Sequence, residues 1–191
     1  MMRRLGPADY SDMPWKNRGG VTRELLKVPH PIDPSRFLAR LSIATVAASG
    51  PFSVFPGVDR ILTLLEGRGM ALSFGGGPEV VLDRPLRPFA FPGEADVQCR
   101  LLGDEPVRDF NLMVDRAVAE ASLGVLHLGP GESRTVAGAW TVLLHVLEGR
   151  VSVAGEPLAV AETLWLEEPG PRALRSDEGA VVVAILLNPR A

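Results

Sequence analysis

Glycine and proline punctuate this chain every few residues, 20 Gly and 17 Pro in 191 positions, and they leave little room for a long helix. Between the breaks lie short apolar or alternating stretches at 37–46, 58–65, 70–74, 97–102, 122–128, 141–147, 163–166 and 181–187. Stretches of this length predict strands, and many short strands at regular spacing predict a sandwich or barrel. One segment, Val114 to Ser122, carries helix formers (Arg116, Ala117, Ala119, Glu120), yet it reads equally well as the connection between two halves.

An internal echo narrows the architecture. RILTLLEGR at 60–68 returns as VLLHVLEGR at 142–150, 82 residues further on. In each copy an apolar strand runs into Glu-Gly-Arg, where glycine can take the positive φ of a tight turn, and a second strand follows at 70–74 or 151–154. FAFPG at 89–93 roughly parallels LWLEEPG at 164–170, and each half closes on a final apolar strand. The chain therefore reads as all-β, with two similar β-barrel or jelly-roll halves in a single compact chain: 1–116 with a motif-rich N-terminal arm, and 117–191.

Bulk properties bound the function. Hydrophobic residues make up 46% of the chain, enough for a substantial core. The net charge is −3 with both signs scattered, so neither the basic footprint of a nucleic-acid groove nor the polybasic run of a membrane-surface protein is present. No run approaches 18 apolar residues. Cys99 is the single cysteine and cannot form an intramolecular disulfide, and the opening residues lack the apolar stretch of a secretory signal; a cytoplasmic location is expected. Of the 20 basic residues 18 are arginine, which supplies many planar forks for carboxylate recognition.

The densest polar stretch is PWKNRGGVTRE at 14–24, which combines an aromatic wall, an ammonium, an amide, flexible glycines and an Arg-Glu pair. Such a segment suits a lid or rim: Lys16 and Arg23 could hold a carboxylate, and Asn17 adds a donor and an acceptor. The structural alternative is a solvated arm pinned by Trp15. The stretch resembles the PWKNGGGxTRE signature of the HutD/Ves family. It is followed in order by RLSIA (40–44), GPFSVFPGVDR (50–60), LLEGRG (64–69), FPG (91–93) and DFNLM (109–113), which are similar to the family's remaining motifs. The resemblance covers roughly residues 12–116 and implies a double cupin, an association with histidine utilisation, and a small-molecule regulatory or accessory role. Two positions depart from the pattern: Arg18 stands where the family usually has glycine, and Ala39 stands where a tryptophan commonly precedes Arg40-x-Ser42. A differently shaped pocket is the expectation from both.

Asp109 and Asn111 alternate with Phe110 and Leu112, so a strand there points both polar groups to one face, where they could read a ligand's amide or ammonium group; the alternative is that both cap a turn. Arg40 and Ser42 alternate in the same way. Arg60 opens the apolar strand 61–65, where its guanidinium can reach the barrel mouth or solvent, and the resemblance points to the mouth. Phe52 and Phe55, between proline-fixed bends, are expected as core aromatics at a barrel corner.

Transition-metal chemistry needs several imidazoles converging on one open coordination sphere, typically from a His-x-His pair. The histidines here are His30, His127 and His145; no two are spaced i, i+2, and the residue echoing His145 is Thr63. His30 is expected in a loop, and His127 and His145 as interior residues of apolar strands, so no metal or other cofactor is expected. Cys99 reads as a small buried hydrophobe, no Gly-x-Ser-x-Gly elbow is present, and the triple glycine at 75–77 reads as a hairpin connection.

The sequence thus points to a metal-independent binding protein for a small anionic metabolite. Its first barrel would enclose a pocket of Trp15, Lys16, Asn17, Arg23, Arg40, Arg60, Asp109 and Asn111, and its second would be mainly structural. The resemblance makes a glutamate-like carboxylate, formylglutamate or formiminoglutamate, the implied ligand. Two alternatives stay open. One is a metal-independent enzyme acting on a similar amino-acid derivative, with Lys16, Glu24 or Asp109 moving a proton. The other is a scaffolding cupin that uses its apolar second half as a homodimer surface.

Overall fold

The computed structural model describes residues 1–190, almost all of them in strands, turns or loops. In chain order come β1 (Met2–Leu5), a 3-10 turn (Pro7–Asp9), β2 (Ser11–Pro14), β3 (Gly20–Pro29), β4 (Phe37–Val46), β5 (Gly50–Pro51), β6 (Val58–Glu66), β7 (Met70–Phe74), β8 (Glu79–Leu82), β9 (Pro88–Pro92), β10 (Val97–Leu101) and β11 (Val107–Asp115). The second half follows with β12 (Ala119–Leu128), β13 (Ser133–Val136), β14 (Thr141–Val153), β15 (Glu156–Ala159), β16 (Thr163–Leu166), β17 (Arg172–Arg175) and β18 (Ala180–Pro189). The chain is all-β, as its punctuation requires. Val114–Ser122 is the end of one strand, a turn and the start of the next, so the connection reading holds over the helical one. Among the described residues no helix is long and apolar enough to cross a membrane.

Two units emerge, Ser11–Ala117 and residues 1–10 joined to the chain from Val118 onward. The sequence division at 116 and 117 put the first ten residues with the first half. In the structure β1 instead pairs antiparallel with β16, Leu5 opposite Thr163, and the Tyr10 hydroxyl bonds Thr163 Oγ1 at 2.8 Å. Nothing in so short and polar an opening marks which edge it will extend.

In the unit 11–117, a six-stranded sheet ordered β2-β3-β4-β11-β6-β9 faces a four-stranded sheet ordered β5-β10-β7-β8. Alternation sends Ala44, Val46, Leu62 and Leu64 from the first and Met70, Leu72, Val97 and Cys99 from the second into one apolar cluster. Cys99 is buried there, and burial, with Asp109 adding to it, pushes its thiol up to about 12, which leaves an unreactive hydrophobe. In the other unit the corresponding cluster is aliphatic, with Val142, Leu144, Val146, Leu164, Val182 and Ala184 among its members.

The sequence echo is a structural one. Leu65 is skipped where β6 pairs with β11, and Leu147, 82 residues on, is skipped where β14 pairs with β18, so each copy carries a β-bulge at the same place. Just beyond it Gly67, in the bend between β6 and β7, and Gly149, which stays inside the unbroken strand β14 rather than in the expected turn, have φ of 97° and 71°. A Cβ on Gly149 would meet the carbonyl oxygen of Gly179 at 2.0 Å. Gly149→Ala is therefore expected to cost about 2–4 kcal/mol, from the left-handed backbone and the clash together, and to lower the urea midpoint. A loss below roughly 0.5 kcal/mol would contradict the positive φ and close packing assigned to Gly149.

Candidate functional site

A cavity of about 560 Å³ opens over the inner face of the six-stranded sheet, within the size range of small-molecule sites. Its floor follows from strand periodicity. Arg40, Ser42, Ala44 and Val46 project from β4, and Asp109, Asn111 and Met113 project from the adjoining β11. Arg60 enters from β6 opposite Met113. The wall comes from Pro51, Phe52, Ser53 and Phe55, and from the β2–β3 turn with Trp15, Lys16 and Asn17.

Seven of the eight residues expected from sequence line this one cavity: Trp15, Lys16, Asn17, Arg40, Arg60, Asp109 and Asn111. Arg23 does not. On β3 the inward positions are Thr22 and Glu24, so the residue between them points outward, and Arg23 pairs with Asp12 on the exposed face at 2.6 and 2.7 Å. Glu24 instead accepts from Arg40 Nε at 2.6 Å, which ties that guanidinium to the floor.

Arg60 is the deepest charge, only 5% exposed. Its guanidinium carbon lies 4.9, 5.3 and 5.7 Å from the ring centroids of Phe91, Phe52 and Phe55, an aromatic cage for a cation. Phe52 and Phe55 are thus walls of the cavity rather than core fillers, because the two prolines hold their loop over the mouth of β6. Nε and a terminal nitrogen of Arg60 donate to Asn111 Oδ1 at 3.4 and 3.3 Å, and the other terminal nitrogen donates to the Ser53 carbonyl at 3.5 Å. Among the described residues Arg60 makes no ion pair with a carboxylate. Burial pulls its pKa down to about 10, with Asp109 opposing and Arg40 adding to the fall, so it remains charged at neutral pH.

Asn111 also donates from Nδ2 to Asp109 Oδ1 at 3.1 Å, so one side-chain amide joins the arginine and the carboxyl. The turn-capping alternative for Asp109 and Asn111 does not hold; both sit mid-strand. Asp109 is 1% exposed, and burial pushes its pKa up to about 7 against the pull of the Asn111 bond and the Arg60 charge.

The rim is set by a tight turn. Asn17 Oδ1 accepts from the Gly19 amide at 2.9 Å, and Trp15 Nε1 donates to Thr22 Oγ1 at 2.8 Å. Gly20 permits this: a Cβ there would lie 2.4 Å from the Thr45 carbonyl and 3.1 Å from the Trp15 ring. Arg18, where glycine is usual, sits at φ 57°, the left-handed region that glycine occupies without strain. Neither Arg18 nor Ala39 lines the cavity; Ala39 is fully buried on the reverse face of β4, so the expected change of pocket shape does not come from either side chain.

The imidazoles are spread out. His30, in the loop after β3, accepts from the Ile32 and Asp33 amides on Nδ1 and turns Nε2 toward Asp115, 3.7 Å away. His145 is buried and bonds Thr163 Oγ1 at 2.9 Å. His127 is exposed on β12, contrary to the interior position expected, because that strand's odd and even residues are both partly open at a sheet edge. Among the described residues no three His, Cys, Asp or Glu side chains group as a metal site.

Sequence reasoning missed Met13, Thr22, Ser53 and Met113 as cavity residues. Thr22 and Met113 were recoverable, since they continue the alternation of Glu24 and of Asp109 and Asn111; Met13 and Ser53 carry no such signal.

Comparison with known proteins agrees with this architecture. The family model HutD matches residues 7–184. An uncharacterised protein from the hutC 3' region of Pseudomonas putida is 43% identical over 154 residues, 78% of this chain and 76% of that protein. A crystal structure of a conserved protein of unknown function from Pseudomonas aeruginosa PAO1 covers both chains fully at 35% identity with a TM-score of 0.86. HutD from Pseudomonas fluorescens SBW25, solved in a formate condition, covers both chains fully at 33% identity and 0.83. More distant cupin-like structures, such as the pirin YhhW of Escherichia coli at 11% identity and oxalate decarboxylase of Bacillus subtilis at 8%, share the fold alone, with TM-scores of 0.67 and 0.70. The expected double cupin is the observed fold.

The raised pKa of Asp109 has a sign that can be measured. In the unfolded chain its carboxyl ionises near 3.8, while in the folded protein it keeps its proton to about 7. The folded state then binds the extra proton, so this group lowers stability as pH rises from about 4 to 7 and the penalty persists above. Asp109→Asn is expected to stabilise the protein at pH 8 by roughly 1–3 kcal/mol and to lose that advantage progressively down to about pH 4. A melting difference independent of pH would show that Asp109 ionises normally.

Proposed function

Because the chain belongs to the HutD family, which is associated with histidine utilisation, we propose that its first cupin binds a small carboxylate metabolite without a metal and serves that pathway in a regulatory or accessory role. The observation that carries this reading is Arg60. A guanidinium taken out of water is costly unless an anion joins it, and no carboxylate of the described residues does so. Three phenylalanine rings and an amide oxygen hold the fork in place, leaving it ready for an anion that enters from the cavity. Arg40, half-neutralised by Glu24, and Lys16 at the rim extend the positive field toward the mouth. A glutamate-like acid such as formylglutamate or formiminoglutamate suits this graded site, with one carboxylate at Arg60 and a second toward Arg40 and Lys16. The partner is then a cytoplasmic metabolite, and the second cupin, whose interior is aliphatic, acts as support.

One observation favours a second reading, a metal-independent enzyme: a buried carboxyl held near pH 7 beside the cavity is what a proton-transfer group requires. Lys16 and Glu24 fit that role less well, since Lys16 is exposed and Glu24 is engaged by Arg40.

Titration calorimetry with formylglutamate tests the binding reading. Arg60→Ala is expected to weaken affinity about tenfold to a hundredfold and Lys16→Ala about threefold, both with the β-rich circular dichroism spectrum retained. Unchanged affinity in both variants removes the site. Product formed from formiminoglutamate in the presence of chelator, and abolished in Asp109→Asn, would replace binding by catalysis.

A further inference from the structure

At the base of the cup two buried groups each lack a partner of opposite kind. Arg60 has no carboxylate, and Asp109, 1% exposed, uses Oδ1 for Asn111 while its other oxygen has no hydrogen-bond partner among the described residues and adjoins the cavity. That oxygen is held in place by the fold, mid-strand on β11 and two residues from Asn111, on a residue that lines the cavity, where a ligand donor can meet it. The two groups are also close, for a single amide side chain spans them: Asn111 Oδ1 takes Arg60 and Asn111 Nδ2 gives to Asp109.

We propose that the free oxygen of Asp109 is the specificity determinant of the cup, accepting an N–H from a nitrogen borne on the carbon next to the carboxylate that Arg60 holds. The ligand class is then an α-amino acid or its N-substituted derivative, rather than a dicarboxylate in general. Two features of the geometry lead there. A carboxylate and a nitrogen on one carbon are about as far apart as the two ends of an amide bridge, so one ligand atom group can meet both residues while Asn111 stays in place. A nitrogen-free acid of the same length satisfies Arg60 and leaves Asp109 as it is now. A site built to bond an N–H discriminates strongly against the analogue that lacks it, because the unmatched buried group remains. The neighbouring charge favours the same occupant: Arg60 lies near enough to Asp109 to stabilise its carboxylate once a ligand N–H meets it.

This inference rests on the binding role proposed above, and the experiment separates the two. Calorimetry at pH 7.5 compares L-glutamate, N-formyl-L-glutamate and glutarate on the wild-type chain and on Asp109→Asn, whose amide presents a donor where the carboxylate presents an acceptor. The better of the two nitrogen-bearing acids is expected to bind the wild type at least about tenfold more tightly than glutarate, and the ratio is expected to fall to within about threefold in Asp109→Asn. Glutarate binding the wild type as tightly as both nitrogen-bearing acids, or an unchanged ratio in the variant, overturns the role of Asp109 and leaves carboxylate binding at Arg60 standing. If none of the three acids binds the folded wild-type protein, both readings fall together.

Discussion

A cation kept charged inside a barrel sets the terms for everything around it. Arg60 must be wrapped in groups that tolerate a positive charge without cancelling it, and the structure supplies aromatic faces on three sides and an amide oxygen on another. That requirement accounts for the proline-bounded loop of Phe52 and Phe55, for Phe91 on the neighbouring strand β9, and for an asparagine in place of the aspartate that an ordinary buried ion pair would use. Asp109 sits one step beyond, near enough to moderate the charge but joined to it only through Asn111. The polarity of the cup is a connected chain of groups laid on a sheet, each fixed by strand alternation.

The second half of the chain is the control that the molecule carries within itself. The same bulge and the same positive-φ glycine recur, so register can be matched position by position. Arg60 then corresponds to Val142; Asn111, opposite Leu62, corresponds to Ala184, opposite Leu144; and Asp109, opposite Leu64, corresponds to Val182, opposite Val146. All three replacements belong to the aliphatic cluster. One scaffold encloses a charged, polar cup in one copy and an aliphatic core in the other, so the difference between them lies in those three side chains rather than in the cupin backbone.

Much of this was legible because period-two alternation and glycine punctuation are local signals. Strands 37–46, 70–74 and 163–166 were readable to the residue, as was the shared face of Asp109 and Asn111. Arg23 was misplaced because it was read as part of a dense polar motif, when its neighbours Thr22 and Glu24 already claim the inward face of β3. The aromatic cage was not legible, since nothing in GPFSVFPG says which ring meets a residue five or eight positions on. Pairing of β1 with β16 spans some 160 residues, and no local pattern encodes such a choice of edge.

The bulges at Leu65 and Leu147 bear on how such a protein can change over time. A bulge and a positive-φ glycine hold the backbone to its path irrespective of what the inward side chains are made of, so conformation and chemistry are stored at separate addresses. A duplicated chain with that separation can let one half drift toward oil while the other keeps its charges, and neither half loses its shape in the process.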